Sequence, residues 1–233
     1  MILGTHYYVL SLSTESTVLY EAFRDVLIRI DDQGFPVTGF TAGEVRNTPH
    51  DLMRTVDERF DAYDSSQPLG LILVGSEKLQ STFDAVTAHA PVVMGRVTRD
   101  RSGISDADLG QIVWLTARES ISQVRDRAIR DLEVCADRGR LVPGLQAVVA
   151  AAATGTPGTL LVEEGFRVRG SLVIAAQPPV VSGDVDIRDV NDDAVDAVID
   201  KALQGGCNVV FMHDGALADQ GRIALLPEEV QEP

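Results

Sequence analysis

Thr159-Leu160-Leu161-Val162-Glu163-Glu164-Gly165 and the later stretch from Asp192-Asp193 to Cys207-Asn208-Val209-Val210-Phe211-Met212 decide the fold of the last third of the chain. The first is a short apolar run that ends in two carboxylates and a glycine, which reads as a buried strand. The second keeps helical spacing through Lys201-Ala202-Leu203 and stops at Gly205-Gly206. Glycine ends helices because it enters the left-handed conformation without steric cost. The chain then becomes apolar again. Strand, helix and strand in this order predict one small α/β layer.

Working outward, residues 166–175 predict a further strand, followed by a Pro-rich connection at 177–183. Arg222 to Leu225 predicts a last short strand after a turn at 216–218. Residues 145–153 are Ala-rich and predict a short helix. Upstream, Leu109, Val113, Ala117, Ile121, Val124, Ala128, Leu132 and Cys135 recur at threes and fours. That spacing predicts a helix of about eight turns. Ser105-Asp106-Ala107-Asp108 caps its start, Arg138-Gly139-Arg140 ends it, and its length predicts a connector between two domains.

The first hundred residues read differently. Residues 6–13, 17–23 and 25–30 predict a three-strand meander. Asp31-Asp32-Gln33-Gly34-Phe35-Pro36 breaks it, and a loop continues to Pro49. Leu52, Val56 and Phe60 then give helical spacing. Leu69 to Val74 is a continuous apolar strand expected to be covered on both faces. Residues 77–89 predict a helix and 91–97 another strand. The order β-β-β-α-β-α-β resembles the RNase-H-like topology. The resulting expectation is an α/β protein of two domains: residues 1–104, a connecting helix 105–138, and an α/β sandwich 139–226, with a disordered acidic tail at 227–233.

The 233 residues are 45% hydrophobic, enough for a globular core, and carry a net charge of −15. That charge opposes adhesion to bare nucleic acid, including DNA, since phosphate contacts rely on Lys and Arg. Basic cations are nearly all arginine; Lys78 and Lys201 are the only lysines. No apolar run is long enough to span a membrane as a helix, and no secretory signal is expected. Cys135 and Cys207 match no metal spacing and read as two reduced thiols, which predicts a cytoplasmic location.

Few residues carry chemistry. A metal-dependent nuclease of RNase-H type needs carboxylates on its first and fourth strands. Here the first offers Ser11 and Ser13 and the fourth offers none. His6, His50, His89 and His213 show no ligand-like spacing, so no metal site is predicted. His50 and His89 read as surface histidines. Glu163-Glu164 and His213-Asp214 stand at strand ends, where α/β proteins often place ligands, and are contact candidates. Arg96, Arg99 and Arg101 form a local basic cluster, which Arg118, Arg125, Arg127 and Arg130 extend along the long helix. A solvated face with pairs such as Asp126/Arg130 competes there with an RNA-contacting stripe.

Residues 144–226 resemble the C-terminal domain of the bacterial archaeo-eukaryotic release factor family, relatives of the archaeal and eukaryotic release factor and of Pelota. His6-Tyr7-Tyr8-Val9-Leu10-Ser11-Leu12-Ser13 is similar to the opening strand of the family's middle domain. Leu71-Ile72-Leu73-Val74-Gly75-Ser76-Glu77-Lys78-Leu79 resembles its central strand-to-helix step. The resemblance implies an RNase-H-like middle domain followed by a sandwich like that of kink-turn-binding ribosomal proteins. It implies the ribosome as partner, at rRNA and the peptidyl-tRNA region, and a translational GTPase meeting the last domain. No cofactor is implied. Family members with hydrolytic activity carry a Gly-Gly-Gln loop, and this sequence has no Gly-Gly-Gln. Its corresponding loop, about 31–48, offers Gln33, Gly34 and Glu44 as tip candidates. The codon-reading domain is also expected to be missing. The expectation is therefore a ribosome-binding protein of rescue or dormancy without hydrolysis, with Arg96, Arg99 and Arg101 on RNA and no catalytic residue assigned. A peptidyl-tRNA hydrolase with a substitute loop and a protein-binding regulatory module without ribosome contact are the alternatives.

Overall fold

The computed structural model describes residues 1–38, 48–101, 103–168 and 194–228. By internal contacts the chain divides into two compact units, Met1–Gln123 and Val124–Pro233.

In the first unit, β1 (Ile2–Leu3) bridges Leu69. β2 (His6–Ser11), β3 (Ser16–Phe23) and β4 (Val26–Ile30) form the expected antiparallel meander. A two-residue β5 (Val37–Thr38) pairs with the start of β3. Helix α1 (Pro49–Ser66) leads to β6 (Leu71–Gly75), and α2 (Glu77–Asp84) leads to β7 (Val93–Thr98). β6 pairs parallel with β2, and β7 parallel with β6, which gives the order β4-β3-β2-β6-β7.

Alternation along β6 explains its unbroken apolar run. Leu71 and Leu73 point into a core with Leu52, Met53, Val56 and Phe60 of α1 and Phe83 of α2. Ile72 and Val74 point the other way, against Leu109, Val113, Ala117 and Ile121 of helix α3 (Asp106–Asp137). A strand covered on both faces has no polar side, so periodicity two is invisible in its sequence. Each such side chain, fully buried, contributes about 1.5–3 kcal/mol.

α1 opens with a reciprocal cap. Thr48 accepts from the Asp51 N–H at 3.2 Å, Asp51 accepts from the Thr48 N–H at 3.0 Å, and Pro49 sits in the first turn. At the start of α3, Ser105 accepts from the Asp108 N–H at 3.1 Å and its hydroxyl donates to the Asp108 carboxylate at 2.6 Å. Gly110 lets α3 approach the hairpin, since a side chain there would collide with the Asp25 carbonyl.

The helix expected at 77–89 stops at Asp84. The Val86 and Thr87 amides still return to Phe83, and a 3₁₀ turn follows at Ala90–Val92. The early stop brings Thr87 and His89 down onto α1, where both bond Asp57, at 2.5 and 2.8 Å. His89 is consequently buried, not on the surface, with Phe60 edge-on at 5.1 Å. His50 is exposed.

α3 has 32 residues, and its second half belongs to the second unit. That unit continues with β8 (Val142–Pro143), α4 (Leu145–Ala153), β9 (Gly158–Glu163), α5 (Ala194–Gln204), β10 (Asn208–Met212) and β11 (Ile223–Pro227). β10 runs parallel to β9, while β11 is antiparallel to both β9 and β8, in the order β10-β9-β11-β8. The predicted strand 166–175 lies outside the described residues from 169 onward, as do the 177–183 connection, Asp192-Asp193 and residues 229–233. Pro227, read as the first tail residue, is instead the last residue of β11, opposite Gly158. Cys135 and Cys207 are buried and unpaired. Burial raises the Cys207 thiol pKa, and its Sγ donates to the Thr156 carbonyl at 3.2 Å.

Candidate functional site

The parallel register of β9 and β10 places Met212 opposite Glu163. The two strands therefore end level, and Glu164 and His213 emerge side by side, with the Glu164 N–H on the Met212 carbonyl at 2.9 Å. All four strand-end candidates are thus brought together, along with two arginines that sequence reading did not connect to them.

Glu163 is enclosed, its side chain 1% exposed, so it is not a surface contact. One oxygen accepts from the Leu217 N–H at 2.8 Å and the other from Arg222 Nε at 2.6 Å. Burial alone would raise its pKa, but Arg222 and the backbone donors of Leu217 and Gly215 overcome that and hold it below the ordinary value. Arg222 also donates to Asp214 at 2.9 Å and lies over the Phe166 ring at 5.3 Å. Asp214 accepts the Gly165 N–H at 2.9 Å. The second arginine is Arg125 of α3. It donates to the Phe211 carbonyl at 2.7 Å and to Glu164 at 2.5 Å, and its remaining nitrogen lies 2.9 Å from the His213 ring.

This arrangement is a clamp. Every carboxylate in it accepts from a cation or a backbone amide. His213 and Asp214 remain exposed at its rim. Arg125 is buried, which corrects its reading as part of a solvated or RNA-facing stripe. The exposed basic residues along the rest of that helix, Arg118, Arg127 and Arg130, alternate with the exposed acids Glu119, Asp126, Asp131, Glu133 and Asp137. The face is mixed in sign.

In the first unit the arginine trio separates. Arg96 pairs with Asp84 at 2.8 Å, both near 40% exposed. Arg101 pairs with Asp106 at 2.9 Å and lies 5.3 Å above Tyr20, whose hydroxyl donates to the same Asp106 at 3.0 Å. Arg99 holds its backbone N–H on Gly75 at 3.1 Å and leaves its side chain exposed. The tip candidates fare differently. Gln33 and Gly34 form a left-handed turn, with φ of 45° and 91°, that closes onto Arg59 of α1. Phe35 and Val37 beyond them are buried, and the Tyr63 hydroxyl donates to Asp32. The described part of this loop, residues 31–38, thus lies on the body of the unit; Glu44 is outside the described residues.

A cleft of about 290 Å³ opens where β2 and β6 end, lined by Ser13, Thr14, Ser76, Lys78, Thr82 and Asp100. The strand-to-helix step Gly75-Ser76 was the sequence signal for this position, although none of these residues was picked as a site. Among the described residues, no group of His, Cys, Asp and Glu has the geometry of a metal site, and no helix is long and apolar enough to cross a membrane.

Among solved structures, the chain is similar to archaeal Pelota in a model of ribosome-bound Pelota and ABCE1. That match has 15% identity and a TM-score of 0.48 over 97% of this chain and 62% of the other. Archaeoglobus fulgidus Pelota matches at 17% identity with a TM-score of 0.38, covering 97% of this chain and 65% of that one. Dom34 of S. cerevisiae, described as a translation termination-like factor interacting with Hbs1, matches at 11% identity with a TM-score of 0.43, covering 96% and 64%. The chain therefore spans less than two thirds of these proteins' lengths. A search of the curated proteins finds no match. The family model of bacterial archaeo-eukaryotic release factor family 3 matches residues 6–156, well over half of the sequence and nearly all of the described first unit and α3. The chain belongs to bacterial archaeo-eukaryotic release factor family 3.

Proposed function

We propose that this protein acts in translation, binding ribosomes in rescue or dormancy without hydrolysing peptidyl-tRNA. The single observation that carries the reading is the family match across residues 6–156. The sequence supports the non-hydrolytic part, since it contains no Gly-Gly-Gln. Residues 1–104, 105–138 and 139–226 act in this proposal as RNA-facing domain, connector and protein-facing domain, in a cytoplasmic protein. A translational GTPase is the proposed partner of the last domain, whose exposed rim at His213 and Asp214 is the proposed point of contact.

Of the three arginines proposed for RNA, Arg99 is the main one. Arg96 and Arg101 meet Asp84 and Asp106, so a phosphate has to displace an aspartate to reach either. These pairs are part-exposed and weak, which makes that exchange feasible. The test is co-sedimentation with ribosomes on a gradient, from growing and from starved cells. Comigration with a ribosomal peak is expected. Arg99→Glu is expected to weaken it and to lower the salt dependence by about one phosphate contact. Absence from every ribosomal peak in both conditions overturns the reading.

A further inference from the structure

Among the described residues, the outer edge of the first sheet is open. β4 ends the strand order, and among the described residues no strand pairs with its far side. The β3–β4 hairpin closes with Phe23 opposite Val26, around the two-residue turn Arg24-Asp25. In such a hairpin the closing pair is hydrogen-bonded and the pattern alternates from there. Val26, Ile28 and Ile30 thus bond β3, and Leu27 and Arg29 direct their N–H and C=O groups outward.

Edge strands of soluble proteins are usually blunted by lysine, proline or a bulge. β4, Val-Leu-Ile-Arg-Ile, has no lysine or proline, carries one charge on Arg29, which Asp31 meets at 2.8 Å, and keeps an unbroken register with β3. Its surface is also apolar. Phe23, Val26 and Ile28 are 44%, 57% and 50% exposed and share one face of the sheet, with His6 stacked on Phe23 at 4.1 Å. An open ladder beside an apolar face fits another extended strand.

Charge chooses which strand. If a second β4 pairs antiparallel about a two-fold axis, the outward-facing residues permit only registers that match odd-numbered positions. With Arg29 on the axis, two arginines face each other. With Ile28 on the axis, Asp25 faces Asp31; with Ile30 on the axis, Arg29 faces Asp31, but Ile28 faces Asp32 and the apolar pairing is lost. With Leu27 on the axis, Asp25 faces Arg29 twice on one side of the sheet, and Val26 faces Ile28 twice on the other. Opposite charges directly across a ladder stabilise and like charges destabilise. Arg29 is at present 2.8 Å from Asp31 in a part-exposed pair, which leaves it able to share a second carboxylate. The Asp25 carbonyl is directed at Gly110, so Asp25 contributes its side chain, and the backbone ladder centres on Leu27.

We propose that β4 is a self-association edge, where two copies of this chain pair antiparallel with Leu27 on the two-fold axis and extend the sheet across both. The contact is a few residues per side, below the area of standard stable interfaces, so the dimer is weak and concentration-dependent. Sedimentation equilibrium of the full chain over a concentration series tests it, with circular dichroism confirming that each variant is folded. A monomer–dimer equilibrium is expected. Ile28→Lys is expected to weaken it by more than about tenfold, and Asp25→Arg and Arg29→Asp by about tenfold each. The double variant Asp25→Arg/Arg29→Asp restores the opposite pairing and is expected to return to within about threefold of the parent. A monomer at every concentration overturns the proposal, as does a dimer indifferent to Ile28→Lys. A double variant no better than either single one overturns the register.

Discussion

Glu163 and Asp64 are carboxylates drawn out of water, one in each unit, and they shift in opposite directions. Glu163 is 1% exposed and more acidic than usual. Asp64 keeps 22% exposure and is less acidic than usual, with burial the main cause and His89 a partial offset. The more deeply buried group is the better ionised. The difference lies in donors. Glu163 receives Arg222 and the Leu217 amide at hydrogen-bond distance, whereas Asp64 has one buried oxygen, Oδ1, without a partner and faces His89 Nε2 only at 3.9 Å. Burial raises the cost of a charge, and the number of aimed donors decides whether the charge survives.

The largest expected effect comes from dismantling the satisfied site. Glu163→Ala removes the acceptor of both Arg222 and the Leu217 amide and is expected to cost about 3 kcal/mol, read as a lower urea midpoint at pH 7. An unchanged midpoint would mean that the clamp contributes nothing and that the contrast with Asp64 is only geometric. Intermediate in size is the response to acid. Glu163 has a lowered folded pKa, so its stabilisation is present above its ordinary value of 4.5 and is lost as pH falls through the lowered value. Asp64 has a raised folded pKa, so its ionised form costs stability above that raised value, and the cost fades as pH falls to its ordinary 3.8. The stability gap between the parent and Glu163→Gln should therefore close on acidification from the stabilising side. The gap to Asp64→Asn should close from the destabilising side. Gaps of the same sign in both variants would break the comparison. The smallest effect is that of Asp64→Asn itself at pH 7, expected to raise the melting temperature by an amount equivalent to about 0.5–1 kcal/mol. A large loss would mean that its pairing with His89 outweighs its burial.

The first unit's element order was legible because β2, β6 and α1 each carry a run whose period or length matches one structure. The place where α2 ends was not legible. Val86 continues the helical spacing in sequence, but Asp57, thirty-two positions upstream of His89, draws the chain out of the helix. In the second unit, Glu163, Glu164, His213 and Asp214 were picked out as strand-end residues, and the structure does gather them. Their joining into a clamp was hidden, because it depends on Arg125, far from all four in sequence, and on Arg222, which is eight positions from Asp214 but 59 from Glu163.

The sequence by itself determined the main strands and helices of the described residues, which faces of them are apolar, and the family to which the chain belongs, because periodicity and motifs are written within a few consecutive residues. Only the tertiary structure decided which charges are paired, which histidine is buried, which arginines of the basic cluster are met by aspartates, and which sheet edge has no partner strand among the described residues. Those outcomes depend on distances between residues that neighbouring positions do not encode, and on how many donors converge on each buried group once the chain has folded.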